Sequence, residues 1–266
     1  YGLSEKRLGS VLAAFGRDSF ALSTKAGRLL VPDHDSGDGS LKVRYDYTYA
    51  AARASLEASL ERLGLDRVDI LLCHDIDVYT HGDDQPNIYE TAMKGILPAL
   101  TDLRSEGVIG AFGLGVNEWQ VCSQVMDVFN PDCFLLAQRF TLLEQAPLDE
   151  MLPKCVKNNV SVIIGAPYNS GILAAEKRED ARYSYRPVDD ESWQRVQSMR
   201  AICDAHGVDI RAAALQYPLR HAAVASVIPG VRSVEEIRAN VEFINTDITP
   251  ALWADLADAG LSRMIE

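Results

Sequence analysis

Short apolar runs alternate with amphipathic stretches along the whole chain. Helical spacing of apolar residues predicts a helix over 4–15 with Ser4 as N-cap, and another that begins at Thr48 and ends at Gly64. The runs between the helices are almost continuously apolar, which is typical of parallel strands buried on both faces. These predicted strands are 20–24, 68–73, 108–116, 133–138, 160–166 and 224–228. Further helices are predicted over 87–106, 118–129, 148–157, 191–206, 210–220, 233–240 and 250–259.

This order predicts an α/β protein with six strand–helix repeats. The pattern contains no antiparallel block and no linker, so a single domain over residues 1–266 is expected. A closed parallel barrel needs eight strands. Either the sheet is open, or about two strands precede residue 1.

Two of the strands end in residues suited to catalysis. The run Phe20–Thr24 stops at Lys25, and Val68–Cys73 stops at His74. The carboxyl ends of parallel strands are where α/β folds place their chemistry. Each residue also has a simpler interpretation, because a strand-end lysine is often a surface group and a histidine often a structural one. Asp75 follows directly, and alternation along a strand predicts that it faces away from His74.

Composition limits the class of protein. The 266 residues carry a net charge of −12, which argues against nucleic-acid binding. No apolar run approaches the roughly 18 residues of a membrane span. Five cysteines are scattered without a CxxC pair, and this favours reduced, buried thiols in a cytoplasmic protein. The expected partner is a small molecule, and oligomeric state is left open.

Several segments resemble the aldo-keto reductase superfamily. They are YGLSEKRLG (1–9), LSTKAGR (22–28), LERLGLDRVDILLCHD (60–75), LRSEGVIGAFGLGVNEW (103–119), GAPYNSGIL (165–173) and VIPGVRSVEEIRANV (227–241). Within the family, the chain is similar to the NAD-dependent aldose 1-dehydrogenases and pyridoxal 4-dehydrogenases. The resemblance implies a (β/α)8 TIM barrel, with strands 1 and 2 missing from this chain.

The resemblance also implies the catalytic residues. The family tetrad is Asp, Tyr, Lys and His, and Lys25 and His74 match the last two by motif. The Asp is expected before the first residue of this chain. Tyr1 is a candidate for the tyrosine if its loop is two residues shorter than in relatives; otherwise the tyrosine precedes Tyr1. A lysine ammonium near a tyrosine lowers the tyrosine pKa, which lets the phenol exchange a proton with the substrate.

A nicotinamide cofactor is implied in the same way. Asn117 and Gln138 would hold the carboxamide. The family's stacking tyrosine is replaced by Gly165. Gly230 and Glu236 stand where NADP-preferring relatives carry Lys and Arg, and this predicts NAD over NADP, since a carboxylate repels a 2′-phosphate. The remaining cofactor candidates are Ala166, Asn169, Gly171, Ile228, Arg232 and Asn240; those for substrate are Asp75, Trp119 and Tyr168. No metal site is expected.

Three interpretations remain at this point. The first is an NAD-dependent sugar or alcohol dehydrogenase. The second is another enzyme on a similar barrel, either a Schiff-base lyase using Lys25 or a metal-dependent hydrolase using His74, Asp75 and Asp77. The third is a nicotinamide-sensing subunit with negligible turnover.

Overall fold

All six apolar runs predicted as strands form strands in the computed structural model, which describes residues 2–33, 35 and 40–265. The chain divides into two compact units, residues 1–134 and 135–266. The strands of the first unit are β1 (Ser23–Ala26), β2 (Arg28–Pro32), β3 (Leu41–Tyr45), β4 (Ile70–His74) and β5 (Ala111–Val116). Its helices are α1 (Leu3–Leu12), α2 (Tyr49–Leu63), α3 (Val78–His81), α4 (Gln85–Lys94), α5 (Ile96–Ser105) and α6 (Trp119–Val125).

Three parallel strands form the centre of the first unit, in the order β1, β4, β5. Leu71, Leu72 and Phe112 on these strands are completely buried, and each contributes about 1.5–3 kcal/mol of hydrophobic stabilisation. Packing requires glycine at position 113, since a β-carbon there would lie 1.6 Å from the carbonyl oxygen of Cys133. The second glycine of GLGVN, Gly115, also has a packing role, because a β-carbon there would meet the Lys25 side chain.

The first unit also contains an antiparallel hairpin, so the prediction of no antiparallel block was wrong. Strands β2 and β3 pair antiparallel with Arg28 opposite Tyr45. The sequence predicts no strand between β1 and the helix that begins at Thr48. The hairpin follows Lys25 directly and carries side chains back to the carboxyl end of β1.

Two helix boundaries differ from prediction. The first helix begins at Leu3 with Gly2 as N-cap, so Ser4 lies inside it. The single helix expected over 87–106 is two helices, α4 and α5, interrupted at Gly95. The Ile96 amide donates 2.8 Å to the carbonyl oxygen of Tyr47, and a β-carbon at Gly95 would lie 2.4 Å from that oxygen. A long-range contact breaks this helix. By contrast, Thr48 caps α2 through its side chain as predicted.

The second unit repeats the strand–helix alternation. Strand β6 (Cys133–Ala137) spans the division between the units. Strands β7 (Ser161–Gly165) and β10 (Val224–Ile228) pair parallel, while β8 (Arg182–Tyr183) and β9 (Arg186–Pro187) form a second unpredicted antiparallel hairpin. The helices are α7 (Met151–Asn158), α8 (Asp190–Ala205), α9 (Ile210–Leu219), α10 (Val234–Ile244) and α11 (Pro250–Asp258).

Helix α10 has an apolar face that is exposed along its length. Val234, Ile237 and Val241 are each about half exposed, at 56%, 49% and 56%. Beside them lies an apolar cleft of about 240 Å³, lined by Leu215, Val227, Pro229, Val231, Ile237, Asn240, Val241 and Ile244. Across the described residues, no helix is long and apolar enough to cross a bilayer.

Candidate active site

Lys25 lies on β1 beside β4, where it is in register with Leu72. Its side chain reaches as far as β5, because a β-carbon at Gly115 would lie 2.8 Å from Lys25 Cε. Gly115 is the register partner of His74. The lysine predicted at one strand end and the histidine predicted at the next therefore belong to one neighbourhood.

Asp75 turns back toward His74, so the prediction that it faces away was wrong. Its φ is 47°, a left-handed conformation that costs a non-glycine residue about 1–2 kcal/mol. The Asp75 amide still donates to Gly115 O at 2.9 Å. One carboxylate oxygen lies 3.2 Å from His74 Nε2 and 3.6 Å from an Arg28 nitrogen. The other accepts a hydrogen bond from Asn117 Nδ2 at 3.2 Å. Alternation fails here because the strand ends at His74.

The loop after Asp75 is fixed to the end of β5. Asp77 accepts a 2.6 Å hydrogen bond from the Asn117 amide and caps α3 through Thr80. Glu118 accepts hydrogen bonds from the amides of Val78 and Tyr79. Two segments 40 residues apart in sequence thus hold Asn117 beside the His74–Asp75 turn. Trp119, the next candidate, is half-buried at the first position of α6.

Burial and neighbouring charges shift the pKa values of this cluster. Burial lowers the pKa of Lys25, and Asp75 opposes that shift. Burial, with Lys25 and Arg28, lowers the pKa of His74 to about 3. Burial and then Asp77 raise the pKa of Asp75 to about 6, although Arg28 and Lys25 act against it. At neutral pH, His74 is an uncharged imidazole beside an ionised carboxylate.

These two shifts predict opposite effects of pH on stability. His74 titrates near 6.5 when unfolded and about 3 when folded, so its contribution is lost as pH falls between these values. Asp75 titrates near 3.8 when unfolded and about 6 when folded, so its contribution is lost as pH rises between them. The effects oppose each other in the wild type, and single variants separate them.

Urea unfolding of His74→Gln and Asp75→Asn between pH 4 and 6 measures this. Relative to the wild type, His74→Gln should lose stability as pH rises and Asp75→Asn should gain it. For one proton, the free energy of unfolding can change by at most about 1.4 kcal/mol per pH unit. Wild-type slopes in both variants would contradict the assignment.

Arg28 and Tyr45 are neighbours of the cluster that sequence reasoning missed. The Arg28 guanidinium lies 5.7 Å from the Tyr45 ring centroid, and Tyr45 meets the His81 ring edge-on at 4.6 Å. Arg28 is the last residue of the LSTKAGR segment, so the family motif could have indicated it as a site residue. The hairpin that brings Tyr45 back had no sequence signal. Tyr1, the candidate tyrosine, lies outside the described residues.

In the second unit, Gln138 is held at the end of β6. Its φ is 65° and it is 3% exposed. Its Oε1 accepts a 2.7 Å hydrogen bond from Ser170 Oγ, and its backbone oxygen accepts one of 2.9 Å from Asn169 Nδ2. Asn169, which is fully buried, also accepts from Thr141 Oγ1 at 2.6 Å. Asn169 therefore supports Gln138 through its own side chain. Ser170 and Thr141 were not predicted.

The ends of β7 and β10 bring four further candidates together. Gly165 is in register with Ile228, and the Ala166 amide donates 3.1 Å to Ile228 O. The following loop runs through left-handed conformations to Gly171, whose φ is 106°. A β-carbon at Gly165 would make only ordinary contacts at 3.4 Å or more. A side chain at Gly165 is therefore not excluded by packing.

Tyr168 and Asn240 form a direct pair. The Tyr168 hydroxyl donates to Asn240 Oδ1 at 2.6 Å. Burial raises the pKa of Tyr168 above its ordinary range, so its phenol stays protonated. Asn240 also lines the apolar cleft beside α10.

Glu236 and Arg232 also bind each other. The Glu236 carboxylate accepts the Arg232 amide at 2.7 Å and its guanidinium at 3.0 Å, while Ser233 caps the helix through the Glu236 amide. This arrangement resembles a capping box. Gly230 is exposed just before it. Glu236 therefore has a structural contact besides the cofactor role predicted for it.

A protein metal site needs several His, Cys, Asp or Glu side chains close together. Within residues 2–33, 35 and 40–265, no three His, Cys, Asp or Glu side chains form a cluster that could hold a metal ion. All five cysteines are buried and none forms a disulfide within the described residues. Burial raises the pKa of Cys73 well above its ordinary value.

The chain belongs to the aldo-keto reductase family, whose model matches residues 1–260. It is 38% identical to a D-threo-aldose 1-dehydrogenase from Pseudomonas sp. over 273 residues, covering 98% of this chain and 80% of the relative. It is 37% identical to a pyridoxal 4-dehydrogenase from Microbacterium luteolum, covering 98% and 81%. The protein is therefore an oxidoreductase of a family that uses nicotinamide cofactors.

Solved structures agree on the fold. An aldo-keto reductase from Bacillus halodurans in its holo form matches 97% of this chain and 77% of its own, with a TM-score of 0.73 at 21% identity. A glycerol dehydrogenase from Gluconobacter oxydans matches with a TM-score of 0.65 at 19% identity, covering 94% and 80%. The predicted α/β barrel class is confirmed, and so is the oxidoreductase interpretation over a lyase or a hydrolase.

Proposed function

We propose that this protein is an NAD-preferring dehydrogenase of aldoses or similar hydroxylated rings, with Lys25 and His74 in its catalytic centre. The observation that carries the proposal is the cluster of Lys25, His74 and Asp75 at neighbouring strand ends. The names of two relatives, an aldose dehydrogenase and a pyridoxal dehydrogenase, support this substrate class. Oxidation of an aldopyranose at C1 would give a lactone.

The chain's own residues would manage the substrate oxygen and its proton. Bound NAD supplies the hydride acceptor. His74, uncharged at neutral pH because of burial, would hydrogen-bond the substrate oxygen and orient it. The Lys25 ammonium would favour the phenolate form of a nearby tyrosine, for which Tyr1 is the candidate, and that phenolate would accept the hydroxyl proton. Asp75, Trp119 and Tyr168 are proposed to contact the substrate's remaining groups.

The residues available fit a nicotinamide dinucleotide chemically. Asn117 and Gln138 offer amides that donate and accept hydrogen bonds, as a carboxamide requires. Ser170 fixes Gln138 by donating to its Oε1, which leaves the Gln138 amino group to act as a donor. Backbone amides and polar groups would hold the rest of the cofactor; these belong to Gly165, Ala166, Asn169, Gly171, Ile228, Gly230, Arg232, Glu236 and Asn240.

Glu236 is proposed to set the preference for NAD. The variant Glu236→Arg should raise kcat/KM with NADP, because it replaces a charge that repels the 2′-phosphate by one that attracts it. Loss of the contact with Arg232 should change stability little, because the pair is exposed to solvent. The matched control is Glu235→Arg, which makes the same charge change at the preceding position. Equal use of NADP by the wild type would remove this argument.

The proposed reaction is tested by NADH formation across L-fucose, D-arabinose, L-galactose, pyridoxal and pyridoxine, with NAD and NADP in parallel. We expect turnover with at least one sugar or ring alcohol, and faster turnover with NAD. Absence of turnover with every substrate, combined with tight nicotinamide binding, would favour the sensing subunit instead. We also propose one barrel domain over residues 1–266 and a cytoplasmic location, the latter because the five cysteines are buried thiols outside any disulfide.

A further inference from the structure

Tyr47 is a buried tyrosine that packs against the Lys25 segment. Tyr47 directly precedes Thr48, the N-cap of α2, and is only 2% exposed. A β-carbon at Gly27 would lie 2.8 Å from its ring, and its backbone oxygen accepts the Ile96 amide. The glycine of LSTKAGR thus makes room for this ring, two residues after Lys25.

The Tyr47 hydroxyl meets the backbone of the His74–Asp75 turn. It lies 2.9 Å from His74 O, 2.7 Å from Asp75 O and 2.9 Å from His81 Nε2. His81 Nε2 in turn lies 2.7 Å from Asp75 O. Tyr47 and His81 therefore converge on two adjacent carbonyl oxygens from positions 27 and 6 residues away in sequence.

Counting protons assigns the donors. A hydroxyl donates one hydrogen, and a neutral imidazole donates from only one nitrogen. With the proton on Nε2, His81 donates to Asp75 O and Tyr47 donates to His74 O, so both carbonyls are satisfied. With the proton on Nδ1, only Tyr47 has a hydrogen to give. The network thus assigns the Nε2 tautomer to His81.

We propose that Tyr47 and His81 are positioning residues that hold both carbonyl groups of the His74–Asp75 turn and so keep the Asp75 carboxylate beside the His74 imidazole. The inference rests on the proposed function, in which His74 orients the substrate oxygen. Asp75 departs from the extended geometry of the strand that ends at His74, with a φ of 47°. An extended Asp75 would point to the opposite face.

Tyr47 is not the tyrosine that exchanges the proton. Burial, with Cys73 and Asp75, raises its pKa above the ordinary range. Its hydroxyl is also turned to backbone oxygens. Its role in the reaction is therefore indirect, through the placement of His74 and Asp75.

The test compares five variants of the full chain by steady-state NADH formation and by NAD binding. Tyr47→Phe removes only the hydroxyl and should lower kcat by about 10- to 100-fold with NAD affinity unchanged, since misplaced catalytic groups cost that much. The matched control is Tyr217→Phe, a buried tyrosine whose hydroxyl donates 2.8 Å to Arg263 O. It should leave kcat unchanged.

His81 provides a second test that does not depend on Tyr47 variants folding. His81→Leu should slow turnover like Tyr47→Phe. His81→Gln keeps an N–H donor near the Nε2 position and should restore most of the activity, which loss of packing alone would not explain. Wild-type kcat in Tyr47→Phe or His81→Leu, or equal rates for His81→Gln and His81→Leu, would overturn the inference.

His74→Gln separates this inference from the proposed function. If His74→Gln turns over like the wild type, the proposed centre is wrong, whatever the other variants do. If His74→Gln is slow while Tyr47→Phe and His81→Leu are not, only the positioning role fails.

Discussion

Lys25→Met should abolish turnover while NAD still binds. General acid–base catalysis is worth about 10²–10⁴-fold, and the tyrosine proposed as base needs the ammonium to reach its ionised form. Methionine keeps the apolar stem that passes Gly115 and removes only the charge. Burial lowers the Lys25 pKa, so the wild-type chain holds this charge at a cost. The variant should therefore be at least as stable as the wild type.

Two measurements decide the outcome for Lys25. Steady-state NADH formation reports kcat, and quenching of tryptophan fluorescence by NAD reports cofactor affinity. Lys94→Met is the matched control, since Lys94 is an exposed lysine paired with Glu90 on the same helix. Retained activity in Lys25→Met would remove Lys25 from the mechanism. Lost activity together with lost stability would make it a structural residue.

His74→Gln should lower kcat by about 100- to 1,000-fold, the usual loss when one donor to a developing oxyanion is removed. His74 is uncharged in the folded protein because burial and two cations lower its pKa to about 3. Its hydrogen bond therefore does not switch on or off between pH 5 and 8. We expect the wild-type activity profile to show no His74 titration in that range.

The control for His74 is another histidine–carboxylate pair. His206 Nε2 lies 2.7 Å from Asp255 in the second unit, and His206→Gln should turn over like the wild type. NAD affinity should be unchanged in both variants. An unaltered kcat in His74→Gln would show that the imidazole does not contact the reacting oxygen.

The helix boundaries show how much of the fold could be predicted from the sequence. Thr48 and Gly64 predicted both ends of α2 because capping is a local interaction between neighbours in the chain. Ser4 failed as an N-cap because Gly2 fills that position. The helix predicted over 87–106 is interrupted because Gly95 meets the Tyr47 carbonyl, a partner far away in sequence. Local signals predicted what local interactions decide.

The candidate site also divides into residues that local sequence predicts and residues that long-range contacts decide. Lys25 and His74 could be predicted as candidates because strand ends and family motifs are visible in the sequence itself. Asn169 was found by motif, but its contact with Gln138 depends on how two loops of the second unit meet. Arg28, Tyr47, Ser170 and Thr141 were missed because their partners lie on other segments.

The sequence by itself determined the six apolar strands, the helices that alternate with them, the two strand-end residues and the family. These follow from periodicity and motifs, which act over a few residues. Only the tertiary structure decided that Asp75 faces His74, because a left-handed residue ends the strand's alternation. It also decided that Tyr47 and His81 support this turn, since hydrogen bonds to a backbone carbonyl carry no signature in the sequence of the acceptor.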